Sequence, residues 1–392
     1  MPELQTGVEL GYTRQPSLSE LAFVFLKLGT ISFGGPAAHI AMMENEFVRK
    51  RRWIAEADFL DRLGAANLIP GPSSTEVAIF IGHSKCGWAG LVVAGCCFII
   101  PASVMVAMIA AVYVRFGSLP QVAGILYAIK PAVIAIILQA LWSLARTATK
   151  TKLLAAIGAI SVILSALGIA PLIVLAIAAI ASGTAVWLQR RERGALFAVP
   201  LSGRLALLLG APAAVAIVPV SLLRLFLSFL KIGSVVFGSG YVLLAFLRAE
   251  FINHLHWLTE KQLIDAVAVG QFTPGPVFTT ATFVGYVVAG IPGAVVATLG
   301  IFVPGFLLVA VSGPLIPKLR RSPMASAILD GIVVGSLALM AVVAWQLGRA
   351  AIMDWLTVLI FVASAVALLR FRLNSVWLIG GAALIGLMVK VH

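Results

Sequence analysis

The chain is a series of long apolar stretches separated by short polar loops, and the stretches are too long and too uniformly apolar for the core of a water-soluble protein. Thirteen stretches can be counted, near 20–43, 63–84, 88–114, 121–145, 153–169, 171–189, 205–223, 225–247, 263–289, 291–317, 326–347, 355–370 and 374–391. The pattern predicts an all-α integral membrane protein that crosses the bilayer many times.

Two of the stretches contain the triplet Pro-Gly-Pro, in "LIPGPSSTEV" (68–77) and in "FTPGPVFTTA" (272–281). Proline lacks the amide hydrogen of the helix ladder and collides with the preceding turn, and glycine adds backbone freedom. A single proline is enough to kink a helix, but here the whole triplet recurs. The triplets therefore predict two deliberate breaks inside the membrane.

The triplets recur because the chain is duplicated. At an offset of 204 positions, "FLKLGTISFGG" (25–35) lies over "FLKIGSVVFGS" (229–239), and 25–75 then shares 16 identities in 51 positions with the later copy. Chance at this composition would give roughly 4. Beyond residue 87 the offset becomes 203. We expect two repeats, 1–204 and 205–392.

Lysine and arginine predict opposite orientations for the two repeats. In the first repeat they crowd the loops 44–62, 146–152 and 190–204, whereas in the second they move to 318–321 and 370–372. Basic loops face the cytoplasm, so this shift indicates inverted repeats.

The same rule predicts four re-entrant segments. The basic loops 44–62 and 146–152 share a side only if 20–43 and 63–84 dip into the membrane and return, and 225–247 and 263–289 would do the same in the second repeat. Backbone broken at membrane depth has to line protein or a watery cavity. The breaks therefore predict a central cavity.

Composition excludes several classes of protein. Hydrophobic residues make up 61% of the chain and charged residues 11%, and the mean hydropathy is +1.07, which leaves no room for a separate soluble domain. The first 20 residues lack the features of a secretory signal and predict a short cytoplasmic tail. The net charge of +13 resides in short loops, where it meets anionic lipid rather than nucleic acid.

Cysteine and acidic residues predict neither a metal site nor a cofactor site. Cys86, Cys96 and Cys97 have no histidine or carboxylate at metal-ligand spacing and are interpreted as packing residues. The 15 Asp and Glu show no paired spacing of the kind that a membrane-embedded lipid-phosphate enzyme needs. The acidic residues Glu46, Glu56 and Asp61, and their copies Glu250, Glu260 and Asp265, are interpreted as part of an interfacial connector, with a proton site at one of these carboxylates as the alternative.

A helix that begins at a break points free amides and the positive end of its dipole at the cavity, which suits an oxyanion. "SSTE" (73–76) fits a capping box and adds hydroxyl groups. The predicted substrate-binding residues are Lys27, Gly34, Gly35, Pro36, Asn67, Pro70, Gly71, Pro72, Ser73, Ser74, Thr75, Lys231, Gly238, Gln271, Thr273, Pro274, Gly275, Pro276, Thr279 and Thr280. Glu76 and His39 are the candidate proton sites.

Lys27 and Lys231 have two interpretations. Each lies in an apolar run six residues before the duplicated Phe-Gly, and a lysine at membrane depth indicates function. Alternatively, each long side chain reaches back to the interface and only anchors its helix.

The motifs "KLGTISFGGPAAHIAMMENEFV" (27–48) and "NLIPGPSSTEVAIFIG" (67–82) resemble the chromate ion transporter family in its long two-domain form. The second copy, "KIGSVVFGSGYVLLAFLRAEFI" (231–252), extends the resemblance to both halves, and it differs from the first copy as the family's second halves do, with Gly238-Ser239-Gly240 in place of Gly34-Gly35-Pro36. The resemblance implies a secondary transporter in the bacterial inner membrane that exports chromate and confers chromate resistance, with sulfate as a structural mimic. A homo-oligomer is compatible with it, and a passive anion channel stays open as the alternative mechanism.

Overall fold

The computed structural model describes residues 15–117, 119–191, 220–237, 240, 242–312, 322–371, 373 and 375–388. Every regular element in these residues is helical, as predicted. The helices of the first half are α1 (Leu18–Ile31), α2 (Gly35–Glu44), α3 (Glu56–Ala66), α4 (Ser73–Phe116), α5 (Pro120–Ala148), α6 (Lys152–Ala166) and α7 (Pro171–Arg191). A π-helical turn, Asn45–Lys50, follows α2.

The second half repeats this order element by element. Its helices are α8 (Leu222–Gly233), α9 (Leu243–Leu247), α10 (Glu260–Phe272), α11 (Thr280–Ser312), α12 (Pro323–Ala351), α13 (Trp355–Phe371) and α14 (Ser375–Met388), with a π-helical turn at Arg248–His254 and a 3-10 turn at Val277–Thr279. Both ends of α12 lie 203 positions after the ends of α5. The predicted repeat boundary at 204 and most of the stretch 205–223 fall outside the described residues.

Five helices in the described residues are long and apolar enough to cross a membrane. They are Ser73–Phe116, Val122–Ala148, Pro171–Leu188, Val277–Ser312 and Pro323–Ala351. Lys152–Ala166, Trp355–Phe371 and Ser375–Met388 are shorter apolar helices.

Two of these long helices reverse direction near one end. The backbone leaves helical geometry at Cys86 and Gly87 in α4, and at Ala289 and Gly290 in α11. A Cβ atom on Gly82 would lie 2.5 Å from the Cβ atom of Ala94, although 12 residues of straight helix would separate them by about 18 Å. Each helix is therefore a hairpin with a short arm (73–85 or 280–288) and a long arm (88–116 or 291–312).

The hairpin in α11 is fixed by a hydrogen bond between its arms. The hydroxyls of Thr282 and Thr298 lie 2.7 Å apart. Gly285 meets Gly293 in the same close contact that Gly82 makes with Gly90, and only glycine leaves room for two backbones at that distance. The turn is thus part of the duplicated unit.

The first broken segments return to the end of the molecule from which they start. Arg51, which follows the π-helical turn, contacts Glu20 at the start of α1 at 3.1 Å. The Cys86 thiol, at the end of the short arm of α4, donates to the Pro16 carbonyl at 3.4 Å. α1 with α2, and α3 with the short arm, are therefore two helical pairs that each begin and end at the same end of the molecule.

The two halves interlock through their long helices. α5 and α12 pack antiparallel, because Gly348 faces Ile134 while Lys150 reaches Asp330 at the other end of the contact. α6 and α7 of the first half pack on α12, and α13 and α14 of the second half pack on α5. Each half thus completes the core of the other.

Candidate functional site

The two Pro-Gly-Pro breaks lie where the halves meet. Gly71 and Gly275 both have left-handed backbone, with φ of 137° and 86°. The Gly71 amide donates to the Val236 carbonyl at 2.7 Å, and the Gly275 amide donates to the Ser32 carbonyl at 2.8 Å. Ser32 and Val236 occupy equivalent positions just after α1 and α8, so each break docks on the first helix of the opposite half.

This reciprocal docking occupies backbone amides that were predicted to bind the anion. The amides of Gly71 and Gly275 are bonded to carbonyl groups and do not face a ligand in this state. Gly34 and Gly35 also have left-handed backbone, and Pro36 opens α2 beside them. Gly238 lies outside the described residues.

The short arm after the first break is polar and buried. Ser73, Ser74, Thr75 and Glu76 all lie within the protein, and the Glu76 side chain is 0% exposed. Its two carboxyl oxygens have no hydrogen-bond partner among the described residues. The carboxyl group covers Gly71, where any Cβ atom would overlap it.

The predicted capping box at 73–76 is wrong. The residue that precedes the first turn of α4 is Pro72, which has no side-chain acceptor, and no side chain caps this helix. Ser73 is already helical, because the Thr75 and Glu76 amides donate to the Pro72 carbonyl. A capping box does form in the second half, where Thr259 and Gln262 cap α10.

His39, which follows the Gly34-Gly35-Pro36 tip in the sequence, lies beside this short arm. Its Nδ1 atom is 3.3 Å from the Ser74 hydroxyl, and its ring stands edge-on to Phe98. The ring is buried, and its Nε2 atom has no hydrogen-bond partner among the described residues. His39 and Glu76 therefore share one buried region next to the first break.

The second break has a different polar chemistry. The hydroxyls of Thr273, Thr279 and Thr280 donate to the carbonyls of Val269, Pro276 and Val277 at 2.8–2.9 Å. These threonines close local turns, whereas at the first break Thr75 Oγ1 has no partner among the described residues. Thr280 occupies the position of Glu76, so only the first half places a carboxyl group here.

The two lysines lie away from the breaks, on exposed faces of α1 and α8. Lys231 forms an ion pair with Glu250 on the π-helical turn that follows α9. Partial burial raises the pKa of Glu46, the equivalent of Glu250, but a hydrogen bond from Arg51 and the nearby charges of Lys27 and Lys50 outweigh it and leave this pKa below its usual range. The duplicated Lys–Glu proximity favours the interfacial interpretation of Lys27 and Lys231.

A cavity of about 340 Å³ lies between the halves next to the first break. Asn67 and Leu68 line it from the break, Phe237 and Val242 from the segment between α8 and α9, and Lys150 from the end of α5. From α12 it is lined by Ser326, Leu329, Asp330, Val333, Ser336 and Leu337. Asn67 is the predicted site residue that reaches this cavity.

The cavity has an ion pair at its mouth and a buried hydroxyl group in its wall. Lys150 and Asp330 form an ion pair at 3.0 Å, and the Lys150 side chain is 61% exposed. Deeper inside, the Ser336 hydroxyl is buried without a hydrogen-bond partner among the described residues. The cavity therefore extends from Lys150 to Asn67, just before the first break, and both of these side chains are exposed.

A second charged cluster, which the sequence did not predict, lies on the other side of the breaks. Lys130 Nζ lies 3.2 Å from Asp265 Oδ1, and the Tyr113 hydroxyl donates to Asp265 Oδ2 at 2.9 Å. Asp265 is fully buried, so its interpretation as an interfacial residue is wrong. The available signal was Lys130 itself, an isolated charge in the apolar stretch 121–145.

Comparison with known proteins matches both halves to one family. The family model described as chromate transporter matches residues 19–183 and again residues 223–387. No solved structure matches the chain.

Three relatives cover most of the chain. A chromate transport protein of Cupriavidus metallidurans is 33% identical over 95% of this chain and 93% of its own length. A probable chromate transport protein of Synechococcus elongatus is 31% identical over 88% of each chain. A chromate transport protein of Pseudomonas aeruginosa is 28% identical over 82% of this chain and 79% of its own. The duplicated broken helices thus belong to a membrane transporter rather than an enzyme, and the chain is a member of the chromate transporter family.

Proposed function

We propose that the protein is a secondary transporter that exports chromate across the bacterial cytoplasmic membrane and so confers chromate resistance, with sulfate as a second substrate. The observation that carries this proposal is the cavity between the halves, which runs from the exposed Lys150 to Asn67 beside the first break. Relatives named for chromate transport over nearly the whole chain supply the substrate.

We further propose that the halves are inverted in the membrane. The antiparallel packing of α5 and α12 supports this, because equivalent helices that cross a bilayer in opposite directions belong to repeats of opposite orientation. The basic loops support it too. Lys150 belongs to the basic loop 146–152, the basic loop 318–321 precedes α12, and the ion pair between Lys150 and Asp330 brings the start of α12 to the same side as the first of these loops. The cavity then opens to the cytoplasm.

An oxyanion fits the chemistry of the cavity. Lys150 provides a positive charge at the mouth, the exposed side chains of Asn67 and Ser326 provide neutral hydrogen-bond donors in the cavity wall, and the buried Ser336 hydroxyl provides one deeper inside. Neutral donors bind an anion without holding it so tightly that it cannot leave, which a carrier requires. Asp330, which pairs with Lys150, lowers the net positive charge of the mouth, and a lower charge favours release of the anion.

The membrane potential is sufficient to drive export. A dianion that leaves a cell with a potential of 100 mV, negative inside, gains about 4.6 kcal/mol, which supports a concentration ratio of about 10³. Proton coupling would add to this, and Glu76, which is buried beside Gly71, is our candidate for the proton-carrying group.

Everted membrane vesicles test the proposal, because their lumen corresponds to the cell exterior. We expect saturable chromate uptake when the lumen is made positive, and sulfate should compete with it. Glu76→Gln should retain potential-driven uptake and lose any response to an imposed pH gradient. Membranes without the protein are the control. Absence of uptake under every imposed gradient would contradict the proposal, and non-saturable uptake without counterflow would indicate a channel.

A further inference from the structure

The buried cluster of Lys130, Asp265 and Tyr113 joins three elements from both halves. Lys130 lies on α5 and Tyr113 on the long arm of α4, whereas Asp265 lies on α10, the helix that leads into the second break. The Asp265 side chain is 0% exposed and the Lys130 side chain 13% exposed. Lys261 is the other positive charge near this carboxylate. The cluster therefore ties the second broken segment to the first half.

Stability does not explain such a cluster. The free-energy cost of removing two charges from water offsets most of their attraction, and well-packed apolar residues of similar size stabilise a protein core at least as well. Ionisable groups at membrane depth accordingly indicate function. The duplicated fold does not require the cluster either, because Asp61, the equivalent of Asp265, is exposed and the equivalent of Lys130 is Val333.

The position of Val333 indicates the role of Lys130. Val333 lines the cavity that reaches the first break. In a carrier built from inverted repeats, the two halves exchange conformations during transport, so the opposite opening is lined by the equivalent residues. For Asn67, Val333 and Ser336 these equivalents are Gln271, Lys130 and Val133. The outward cavity would thus contain a lysine where the inward cavity has a valine.

We propose that Lys130 binds the transported anion in the outward-open cavity and that, while this cavity is closed, Lys130 instead pairs with Asp265, which Tyr113 holds in place. This inference rests on the inverted-repeat transport proposed above. When the second broken segment moves away from α5, Lys130 exchanges the Asp265 carboxylate for a tetrahedral dianion. Asp265 keeps the hydrogen bond from Tyr113 and the charge of Lys261.

Opening and binding are coupled in this exchange. Without an anion, separating Lys130 from Asp265 leaves the Lys130 ammonium without a counterion, which is unfavourable in a membrane protein. With an anion, Lys130 is paired in both states. The cluster therefore favours outward opening of the loaded carrier over outward opening of the empty one.

Cysteine accessibility tests the location of Lys130 without any chromate flux. On a background with Cys86, Cys96 and Cys97 replaced by alanine, Val133→Cys is compared with Ala132→Cys. Both native side chains are 0% exposed, but Ala132 packs against α13 and α14 in the cluster with Ile360 and Ala382, away from the proposed outward cavity.

The second change in these variants, Asp265→Asn, weakens the closure of the outward cavity. It should expose the thiol at position 133 to a membrane-impermeant sulfonate thiol reagent added outside. The thiol at position 132 should stay unlabelled under the same conditions. Sulfate or chromate should slow the labelling at position 133, because the anion would occupy the same cavity.

Transport kinetics test the ligand role. The double variant Lys130→Gln/Asp265→Asn removes both charges together and keeps polar side chains of similar size, so it avoids an unpaired buried charge. Its apparent KM for chromate at the outer face should rise about tenfold or more, since a charge-assisted contact to the dianion is lost. The KM at the inner face should change by less than about twofold.

The two tests separate this inference from the proposed function. If the wild type moves no chromate, the labelling of Val133→Cys and its protection by sulfate still decide where Lys130 lies and whether an anion binds there. Equal KM changes at both faces, or a thiol at position 133 that stays unlabelled with Asp265→Asn, would make the cluster a structural ion pair and overturn the inference.

Discussion

Gly71 and Gly275, the central residues of the two breaks, have no room for a Cβ atom. A Cβ atom on Gly275 would lie 2.5 Å from the Cβ atom of Ala102 and 3.2 Å from the Gly29 carbonyl oxygen. On Gly71 the same atom would overlap the Glu76 carboxyl group. Because both glycines also have left-handed backbone, a substitution combines local strain with a collision, which lies across the interface between the halves at Gly275 and within the first half at Gly71.

We expect Gly71→Ala and Gly275→Ala to lower both flux and thermal stability. The left-handed backbone alone costs about 1–2 kcal/mol for alanine, and the overlap adds to it. Gly380→Ala on α14 is the matched control, since no atom lies within 4 Å of its Cβ position and alanine favours a helix. Melting of the purified proteins in detergent and chromate flux in vesicles are the measurements. Wild-type values for both break variants would show that the close approach is unimportant.

For individual residues, the sequence predicted local backbone breaks but not contacts between the two halves. The duplicated triplets predicted where the backbone breaks, since Pro-Gly-Pro excludes a continuous helix locally. The partners of Gly71 and Gly275 could not be predicted, because Val236 and Ser32 come from the opposite half. Lys130 and Asp265 were missed for the same reason: their pairing depends on packing between α5 and α10, which no local pattern encodes.

Among the structural elements, the connectors around Arg52 and His256, which join the broken segments, differ in the basic residues that set orientation in a membrane. Arg52 and His256 are 204 positions apart, both exposed and both in left-handed backbone with φ of 52° and 55°. Their surroundings differ in charge, because 49–52 is uniformly basic whereas 253–256 is not. Local geometry is thus duplicated while the signal that sets orientation is not.

We predict that these connectors face opposite sides of the membrane. Arg52→Cys and His256→Cys, each on the cysteine-free background, should react with an impermeant thiol reagent from the inside and from the outside, respectively. Thr149→Cys, in the exposed loop beside Lys150, should react from the same side as Arg52→Cys. Labelling of both connectors from one side would rule out inverted halves.

The apolar pattern predicted most helices and the turns between them. It separated 63–84 from 88–114 at the polar residues that end the first stretch, and the reversal of α4 lies between the two stretches at Cys86 and Gly87. It could not predict which helices pack together. That α6 and α7 pack on α12 is a property of the completed fold, since each of these helices is apolar on most of its surface.

In the whole molecule, each half depends on the other, because α6 and α7 pack on α12 while α13 and α14 pack on α5; we call this arrangement the exchange of helices. Gly331 on α12 lies directly against the backbone of Ala178 on α7, and Gly386 on α14 lies against the backbone of Gly124 on α5. Close helix contacts through small residues are a main source of stability within membranes, where the hydrophobic effect between helices is weak. Half a chain would lack these contacts.

Residues 1–204 or 205–392 expressed alone should therefore be degraded, whereas co-expression should restore inserted protein and chromate flux. Gly331→Leu in the second fragment should prevent this rescue, because its side chain would overlap the Ala178 carbonyl. Gly380→Leu, at a position with open space around it, should leave the rescue intact. Protease resistance of the membrane-inserted fragments is the readout. A stable first fragment without its partner would contradict the interlocked packing.

The exchange of helices also constrains how such a protein arises. An ancestor with a single copy of the repeat would have no partner for its α5 equivalent, so two identical chains would have to insert in opposite directions to complete one core. Fusion of two genes removes that requirement, because every molecule then contains both copies. After fusion the copies are free to differ at equivalent positions. Glu76 opposite Thr280, and Lys130 opposite Val333, are substitutions that identical chains could not have carried on one side alone.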